Sequence, residues 1–302
     1  MNRLSASLQH RLEQLAREAL GNGFRLADAR PVAGGDINTA LQLQGAGRER
    51  LFLKLRKAAD AAMFAAEADG LTALARCDAI RVPAVLGHGD EGEHAWLLLE
   101  WLDLSPLRDT AHACRAGEAL AAMHRQEGAH FGWTRDNFIG ATPQANPAYE
   151  AWPRFFVEQR LRPQLALAAR RGFGGELQRH GEQLCKNTAA LFLGEQPRPS
   201  LLHGDLWGGN IAVLADGTPV LYDPACYFGD READLAMTEL FGGFPLAFYA
   251  AYRAAWPLAP GFETRKPLYN LYHVLNHLNL FGQGYLSQAE RMARQLARTL
   301  LR

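Results

Sequence analysis

HGDLWGGNIAVLADGTPVLYDPA, residues 203–225, decides how this chain reads. Asp216-Gly217 supplies a hairpin turn between the apolar runs IAVL and PVLY. Folding back at that turn would bring Asp223 beside Asn210 and leave Asp205 on the loop that enters the first strand. An Asp in that place can face a substrate hydroxyl and accept its proton. An amide carbonyl and a carboxylate are the hard oxygen ligands that suit Mg²⁺. Phosphoryl transfer needs this set and little more: positioning, neutralisation of phosphate charge, and an acceptor for the hydroxyl proton. A plainer reading is that HGD and DG only mark turns. It explains either motif alone, but not Asn210 and Asp223 at matching offsets around an apolar hairpin. His203 reads as a brace for the loop.

Upstream, residues 24–102 have the texture of short strands with one helix among them. FRLADARPV (24–32) and NTALQLQ (38–44) flank a glycine pair, and GAGRER turns the chain into LFLKL (51–55). In that strand Leu51, Leu53 and Leu55 alternate with Phe52 and Lys54. The pattern of residues 61–76 is helical and puts Phe64, Glu67, Leu71 and Leu74 on one stripe. An inward Lys54 and a carboxylate on an apolar stripe both need partners. They satisfy each other if Lys54 pairs with Glu67 while reaching the α- and β-phosphates of ATP; charges snorkelling at a half-buried surface are the alternative. In AGGDIN (33–38), Gly34 and Gly35 let the backbone approach phosphates, with Asp36 and Asn38 in the same loop; an ordinary hairpin turn fits equally. Pro83 to Glu100 gives two more strands around GDEGE. Backbone groups near Glu100 and Leu102 are then placed to hydrogen-bond adenine.

After Asp103 the patterns lengthen into helices near 110–125, 152–171, 175–193, 245–255 and 264–281. A last helix is expected from 287, where SQAE has the form of a capping box. The expected fold is α+β and two-lobed: residues 1–102 a small, mainly antiparallel β lobe holding nucleotide, 103–302 a larger helical lobe with the catalytic loop, metal and acceptor. No repeat or low-complexity segment interrupts it. Thirty-two basic and thirty-two acidic side chains leave no formal net charge, against the basic excess usual for nucleic-acid or anionic-membrane partners. The N-terminus reads as an amphipathic helix with Leu8, Leu12, Leu15 and Ala19 on one face rather than as an export signal. No stretch approaches the ~20 uncharged residues of a membrane span. Cys77, Cys114, Cys185 and Cys226 have no CxxC spacing, and read as reduced, mostly buried thiols of a cytoplasmic protein.

HGDLWGGN, YDPACYFGDREADLAMTELFGGF (222–244), FGWTRDNFIGATPQ (131–144) and LNHLNLFGQGY (275–285) together resemble the fructosamine-3-kinase, or ketosamine-3-kinase, family. That family sits within the kinase-like phosphotransferases, beside aminoglycoside and choline kinases. The likeness runs from the GGDIN loop to the last helix. It implies ATP-dependent phosphorylation of the 3-hydroxyl of ketosamines, free or protein-bound, in the repair of glycated amines. It also implies Asp205 as catalytic base, Asn210 and Asp223 as magnesium ligands, and Lys54 with Glu67 as the phosphate-orienting pair. Trp207 becomes a candidate sugar-stacking wall and His277 a candidate for the acceptor pocket, with packing roles open to both. Asp234 reads as an N-cap that braces the catalytic loop. Some members carry a loop cysteine that links two subunits; Asp36 stands there in this chain, so no disulfide-linked dimer is expected. A kinase for an amino sugar or choline, or a non-catalytic nucleotide-binding module, are the competing readings. A protein kinase fits less well, because HRD is absent and Pro224 follows the metal Asp.

Overall fold

The computed structural model describes residues 4–32 and 38–300. Helix α1 (Ala6–Leu20) opens the chain, with Ser5 Oγ accepting from the Leu8 amide as its N-cap. Then come β1 (Leu26–Pro31), β2 (Thr39–Gly45), β3 (Arg50–Lys57), α2 (Ala61–Arg76), β4 (Val85–Glu91) and β5 (His94–Glu100). The strands form one antiparallel sheet in the order β1-β2-β3-β5-β4.

The period-2 pattern of β3 puts Leu51, Leu53 and Leu55 on the face covered by α1, where they pack with Leu8, Leu12 and Trp96. Burial of each such leucine contributes about 1.5–3 kcal/mol. The face of α1 runs through Leu8, Leu12 and Ala16; Ala19, expected on it, is exposed. Phe52 lies on the opposite face, toward α2 and the helical half. Lys54 shares that face and is nearly fully buried.

The remainder is α3 (Thr110–His124), the small hairpin β6 (Asn137–Ile139) and β7 (Thr142–Gln144), α4 (Trp152–Phe156), α5 (Arg162–Arg170) and α6 (Glu176–Asn187). It continues with β8 (Ser200–Leu202), β9 (Ile211–Val213), β10 (Pro219–Leu221), β11 (Tyr227–Gly229), α7 (Glu232–Leu240), α8 (Leu246–Ala255), α9 (Phe262–Phe281) and α10 (Leu286–Thr299). The architecture is the mixed one expected: an antiparallel sheet first, then helices interrupted by hairpins. A single π-helical turn, Val157–Leu161, joins α4 to α5. Helix α10 starts at Leu286, before Ser287, and its N-cap residue Tyr285 makes no side-chain cap bond, so SQAE is not a capping box. Among the described residues no helix is long and apolar enough to cross a membrane.

Two inner clusters hold the helical half. One gathers Trp152, Phe155, Phe156 and Tyr269 around α4 and α9. The other joins α2 and β5 to α3 and the β9–β10 hairpin, through residues such as Leu71, Leu97, Leu120, Ile211 and Leu221. This second cluster packs the sheet's inner face directly against the elements that carry the site.

Candidate active site

The hairpin at the centre forms as its sequence requires. β9 and β10 pair antiparallel, and the turn closes where Gly217 adopts φ +76° and its amide donates to the Leu214 carbonyl at 2.8 Å. At the open end the Tyr222 amide donates to the Asn210 carbonyl at 3.2 Å, which sets Asp223 beside the first strand's start.

The loop carrying Asp205 is held from beneath by Asp234. Its carboxylate accepts from the backbone amides of His203 at 2.7 Å and Gly204 at 2.9 Å. Asp234 was expected as an N-cap, yet it lies inside the first turn of α7, which begins at Glu232. Asp230 Oδ1 meets the Glu232 amide instead, at 3.0 Å, and this leaves Asp234 to point into the loop. Burial opposes the charge on Asp234, but hydrogen bonds from His124 and the loop hold its pKa below the usual value. His124 in turn contacts Tyr252 through Nδ1 at 2.8 Å. Neither His124 nor Tyr252 carries a spacing signal that would have marked it in the sequence.

His203 is fully buried, and burial pushes its pKa down, so the ring is neutral. Its Nδ1 accepts from the Asp205 amide at 3.2 Å, and its Nε2 sits 2.9 Å from the Tyr222 carbonyl. That pattern assigns the proton to Nε2. The ring thus ties the Asp205 loop to the residue before Asp223. Gly204 has φ +82°, and a Cβ there would lie 2.1 Å from the Ala225 carbonyl oxygen, so no other residue fits between the two loops.

Asn210 closes the loop. Its Nδ2 donates to the Asp205 carbonyl at 2.8 Å and approaches the Asp205 carboxylate at 3.3 Å. With the amide nitrogen so engaged, the group Asn210 offers outward is its carbonyl oxygen. Burial, Asp223 and Asp234 raise the Asp205 carboxyl to about 7, against the lowering effect of the Asn210 hydrogen bond.

Lys54 reaches across from β3. Its Nζ lies 2.6 Å from Glu67 Oε1 on α2 and 2.5 Å from Asp223 Oδ1. Burial disfavours its charge, but Asp223 and Glu67 outweigh that and raise its pKa. Burial pushes Glu67 up, Lys54 opposes this, and Asp223 adds to it. Asp223 itself is 42% exposed and takes φ +58°, a left-handed conformation that an Asp tolerates at modest cost. Ionised Lys54, Glu67, Asp205 and Asp223 together carry an excess of two negative charges. A divalent cation on the Asn210 carbonyl and the Asp223 carboxylate would relieve it. Two protein oxygens suit Mg²⁺, which takes one or two carboxylates and fills its shell with phosphate and water oxygens. No cluster of three or more His, Cys, Asp or Glu suited to a metal occurs among the described residues.

Leu206 is fully buried, whereas Trp207 beside it is 40% exposed. The indole lies over Gly209, where a Cβ would come within 2.4 Å of the ring, and meets Phe241 edge-on at 6.3 Å. His277 packs against the same Phe241 with ring centroids 4.8 Å apart and the planes tilted by 46°, its Nδ1 turned to the His273 carbonyl at 2.8 Å. Burial lowers its pKa. The structure therefore brings Trp207 and His277 together through Phe241, a residue the sequence reading had not singled out.

Other expected nucleotide residues are placed less directly. Asn38 Oδ1 accepts from Arg56 at 3.1 Å. The Glu100 amide is engaged by the Ala84 carbonyl at 2.9 Å, and its side chain meets Arg81 and the Ala84 amide. Leu102 follows on the half-buried connection between the halves. Gly34, Gly35 and Asp36 lie outside the described residues.

The fructosamine kinase family model matches residues 8–299. A probable ketoamine kinase of Synechocystis is 48% identical over 288 residues, covering 95% of this chain and 96% of that protein. The chain belongs to the fructosamine kinase family. Like that family's kinases it is an ATP-dependent phosphotransferase. A crystal structure of a candidate fructosamine-3-kinase from Haemophilus somnus superposes with a TM-score of 0.86 at 30% identity, covering 96% of this chain and 99% of that one. A thermostable aminoglycoside phosphotransferase mutant, in ternary complex with ADP and hygromycin B, shares the fold: TM-score 0.61 at 15% identity, over 95% and 98% of the two chains. In this fructosamine kinase family member, the sheet half and the helical half meet at the Lys54–Asp223 contact as well as through the apolar cluster around Leu71, Leu97 and Ile211.

Proposed function

We propose that this enzyme phosphorylates the 3-hydroxyl of ketosamines of the ribulosamine and fructosamine type, so that the sugar is released and the amine restored. The observation that carries the reading is Asp205. It is a carboxylate with a raised pKa, fixed by Asn210 and the Asp234-held loop, next to the cluster formed by Lys54, Glu67 and Asp223. The full-length likeness to a ketoamine kinase supports the acceptor class.

In this reading residues 1–102 hold ATP, with Lys54 on its phosphates, Glu67 orienting Lys54, and the chain at Glu100 and Leu102 beside adenine. Residues 103–302 supply the chemistry. Asp205 takes the proton of the 3-hydroxyl as that oxygen forms its bond to the γ-phosphorus and the bond to the ADP oxygen breaks. Asn210 and Asp223 would hold Mg²⁺, which would supply neutralisation of phosphate charge. Trp207 and His277 wall the sugar. The acceptor is a glycated amine, free or protein-bound, and the free cysteines fit work in the cytoplasm.

An ADP-release assay with ribulose-, erythrulose- and fructose-derived ketosamines beside aminoglycosides and choline tests the proposal. Turnover on a ketosamine that stops with EDTA is expected. Turnover on an aminoglycoside or choline with none on ketosamines would overturn it.

A further inference from the structure

FGWTRDNFIGATPQ, residues 131–144, contributes no side chain to the proposed transfer of phosphate, yet it buries polar groups that must be satisfied. Asn137, Gln144 and Asn146 are each nearly fully buried. Asn137 Nδ2 donates to the Cys226 carbonyl at 2.7 Å, three residues after Asp223. Its Oδ1 accepts from Gln144 at 2.8 Å and Asn146 at 3.0 Å, which fixes the amide's orientation. Gly132 exchanges both backbone hydrogen bonds with Phe228, at 2.9 and 2.8 Å. Arg160, from the π-helical turn, bonds Asn146 Oδ1 at 2.6 Å and lies 4.1 Å over the Tyr227 ring. One side of the segment is thereby fastened to the chain leaving Asp223.

The other side is fastened to α2. Trp133 Nε1 donates to Asp69 Oδ2 at 2.9 Å, two residues beyond Glu67. At Gly70 the helix rests on the same chain: a Cβ there would lie 3.2 Å from Cys226 Sγ and 3.3 Å from the Pro224 ring. So the helix bearing Glu67 and the loop bearing Asp223 are both anchored to residues 131–146. Their carboxylates share one ammonium and repel each other. Lys54 alone leaves one negative charge of that trio uncompensated, and an anchor outside the trio is what resists their separation.

We propose that residues 131–146 act as a strut whose Trp133 and Asn137 are positioning residues: they set the spacing of Glu67 and Asp223 and preorganise the nucleotide site. The inference rests on the reading of Lys54 and Asp223 as nucleotide-side groups, and not on the acceptor's identity. Asn137→Asp would set a carboxylate against a buried carbonyl and is expected to unfold the hairpin, so the Trp133–Asp69 contact carries the test. Trp133→Phe keeps a ring against Phe228, now 5.1 Å away, and removes only the N–H donor. Asp69→Ala removes the acceptor.

Binding of Mg·AMP-PNP is measured by calorimetry for both single variants and the double, at a temperature where circular dichroism shows all of them folded. Each single change is expected to raise the dissociation constant by about fivefold to tenfold, and the double by no more than the larger single, because one contact is lost in all three. The Michaelis constant for the acceptor should stay within about twofold. Dissociation constants like wild type alongside a lower melting temperature would make the strut merely structural, and fully additive losses would separate Trp133 from Asp69; either overturns the proposal. If wild type itself fails to bind Mg·AMP-PNP, it is the nucleotide reading of the site that falls.

Discussion

Lys54 and Asp223, 169 positions apart in the chain, meet at 2.5 Å between Nζ and Oδ1. The contact ties the central strand of the sheet to the loop that follows the β9–β10 hairpin. Lys54→Met removes the one cation between two carboxylates. Turnover is expected to fall at least ~10²-fold, the loss typical of a single electrostatic group aimed at the reacting atoms. Loss of a buried partner also costs about 3 kcal/mol of stability. Glu67 already has a raised carboxyl, and without Lys54 it rises further, so at lower pH it sheds its charge by binding a proton. The stability deficit of the variant should therefore be larger at pH 8 than at pH 6, read from urea midpoints. A deficit independent of pH would mean that Glu67 is not the group left unpaired.

Asp205→Asn should lower turnover at least ~10²-fold while leaving nucleotide affinity near normal, because in the proposed mechanism the carboxylate acts on the acceptor hydroxyl. The pH profile has a definite sign. A carboxyl near 7 is a base only above that pH, so the activity of the wild type should decline as pH falls through its pKa. Positive charge bound at Asn210 and Asp223 would lower that pKa, which places the acid limb at or below pH 7. Near-wild-type turnover in the Asn variant would remove Asp205 from the proton's path.

Much of this arrangement was legible because its chemistry lies in side chains at fixed offsets on elements with clear periods. The alternation of Leu51, Leu53 and Leu55 set Lys54 on the inner face, and the stripe of α2 set Glu67 opposite. The DG turn then carried Asp223 back to Asn210. What escaped has no such period. Strands β6, β7, β8 and β11 are three residues each, too short for alternation to show, and their pairing is decided by distant partners. Asp234 looked like a cap because it precedes an apolar helical run. Asp230 takes the capping work four residues earlier, while the bracing of the loop that was also read for Asp234 is what the folded chain shows. Arg160 is a fully buried cation whose partners are two backbone carbonyls, an asparagine and two rings, none of them a charge that sequence pairing could suggest.

Trp207→Ala should raise the Michaelis constant for the acceptor about fivefold and that for ATP much less. An exposed indole offers a face to a sugar, and the stacking it loses is worth about 1 kcal/mol. Because the residue is 40% exposed, its removal should cost little in melting temperature. An unchanged acceptor constant with a clear drop in melting temperature would assign Trp207 to packing instead.

The cysteines give the last prediction. Cys226 follows Asp223 by three residues and is the thiol nearest the proposed chemistry, but it is buried, with Sγ 3.7 Å from the Gly70 carbonyl. Burial, together with the charges of Asp234 and Asp69, pushes its pKa well above the ordinary thiol value. The thiolate is the reactive form, so this sulfur is protected twice, by access and by protonation. Burial likewise raises Cys185, to about 11. Cys77 and Cys114 are partly exposed, and all four are free. Cys77 Sγ is directed at the Leu74 carbonyl at 2.8 Å, back into its own helix end. Activity should then be the same with and without dithiothreitol, with no disulfide-linked dimer on non-reducing gels. Iodoacetamide should label Cys77 and Cys114 in the folded protein, and Cys226 only after denaturation. A dimer band that reduction removes, with reversible loss of activity in peroxide, would contradict this. Cys77→Ser and Cys114→Ser would then identify the linking thiol, while persistence of the peroxide effect in both and its loss in Cys226→Ser would show that the Asp223 loop opens enough to expose its sulfur.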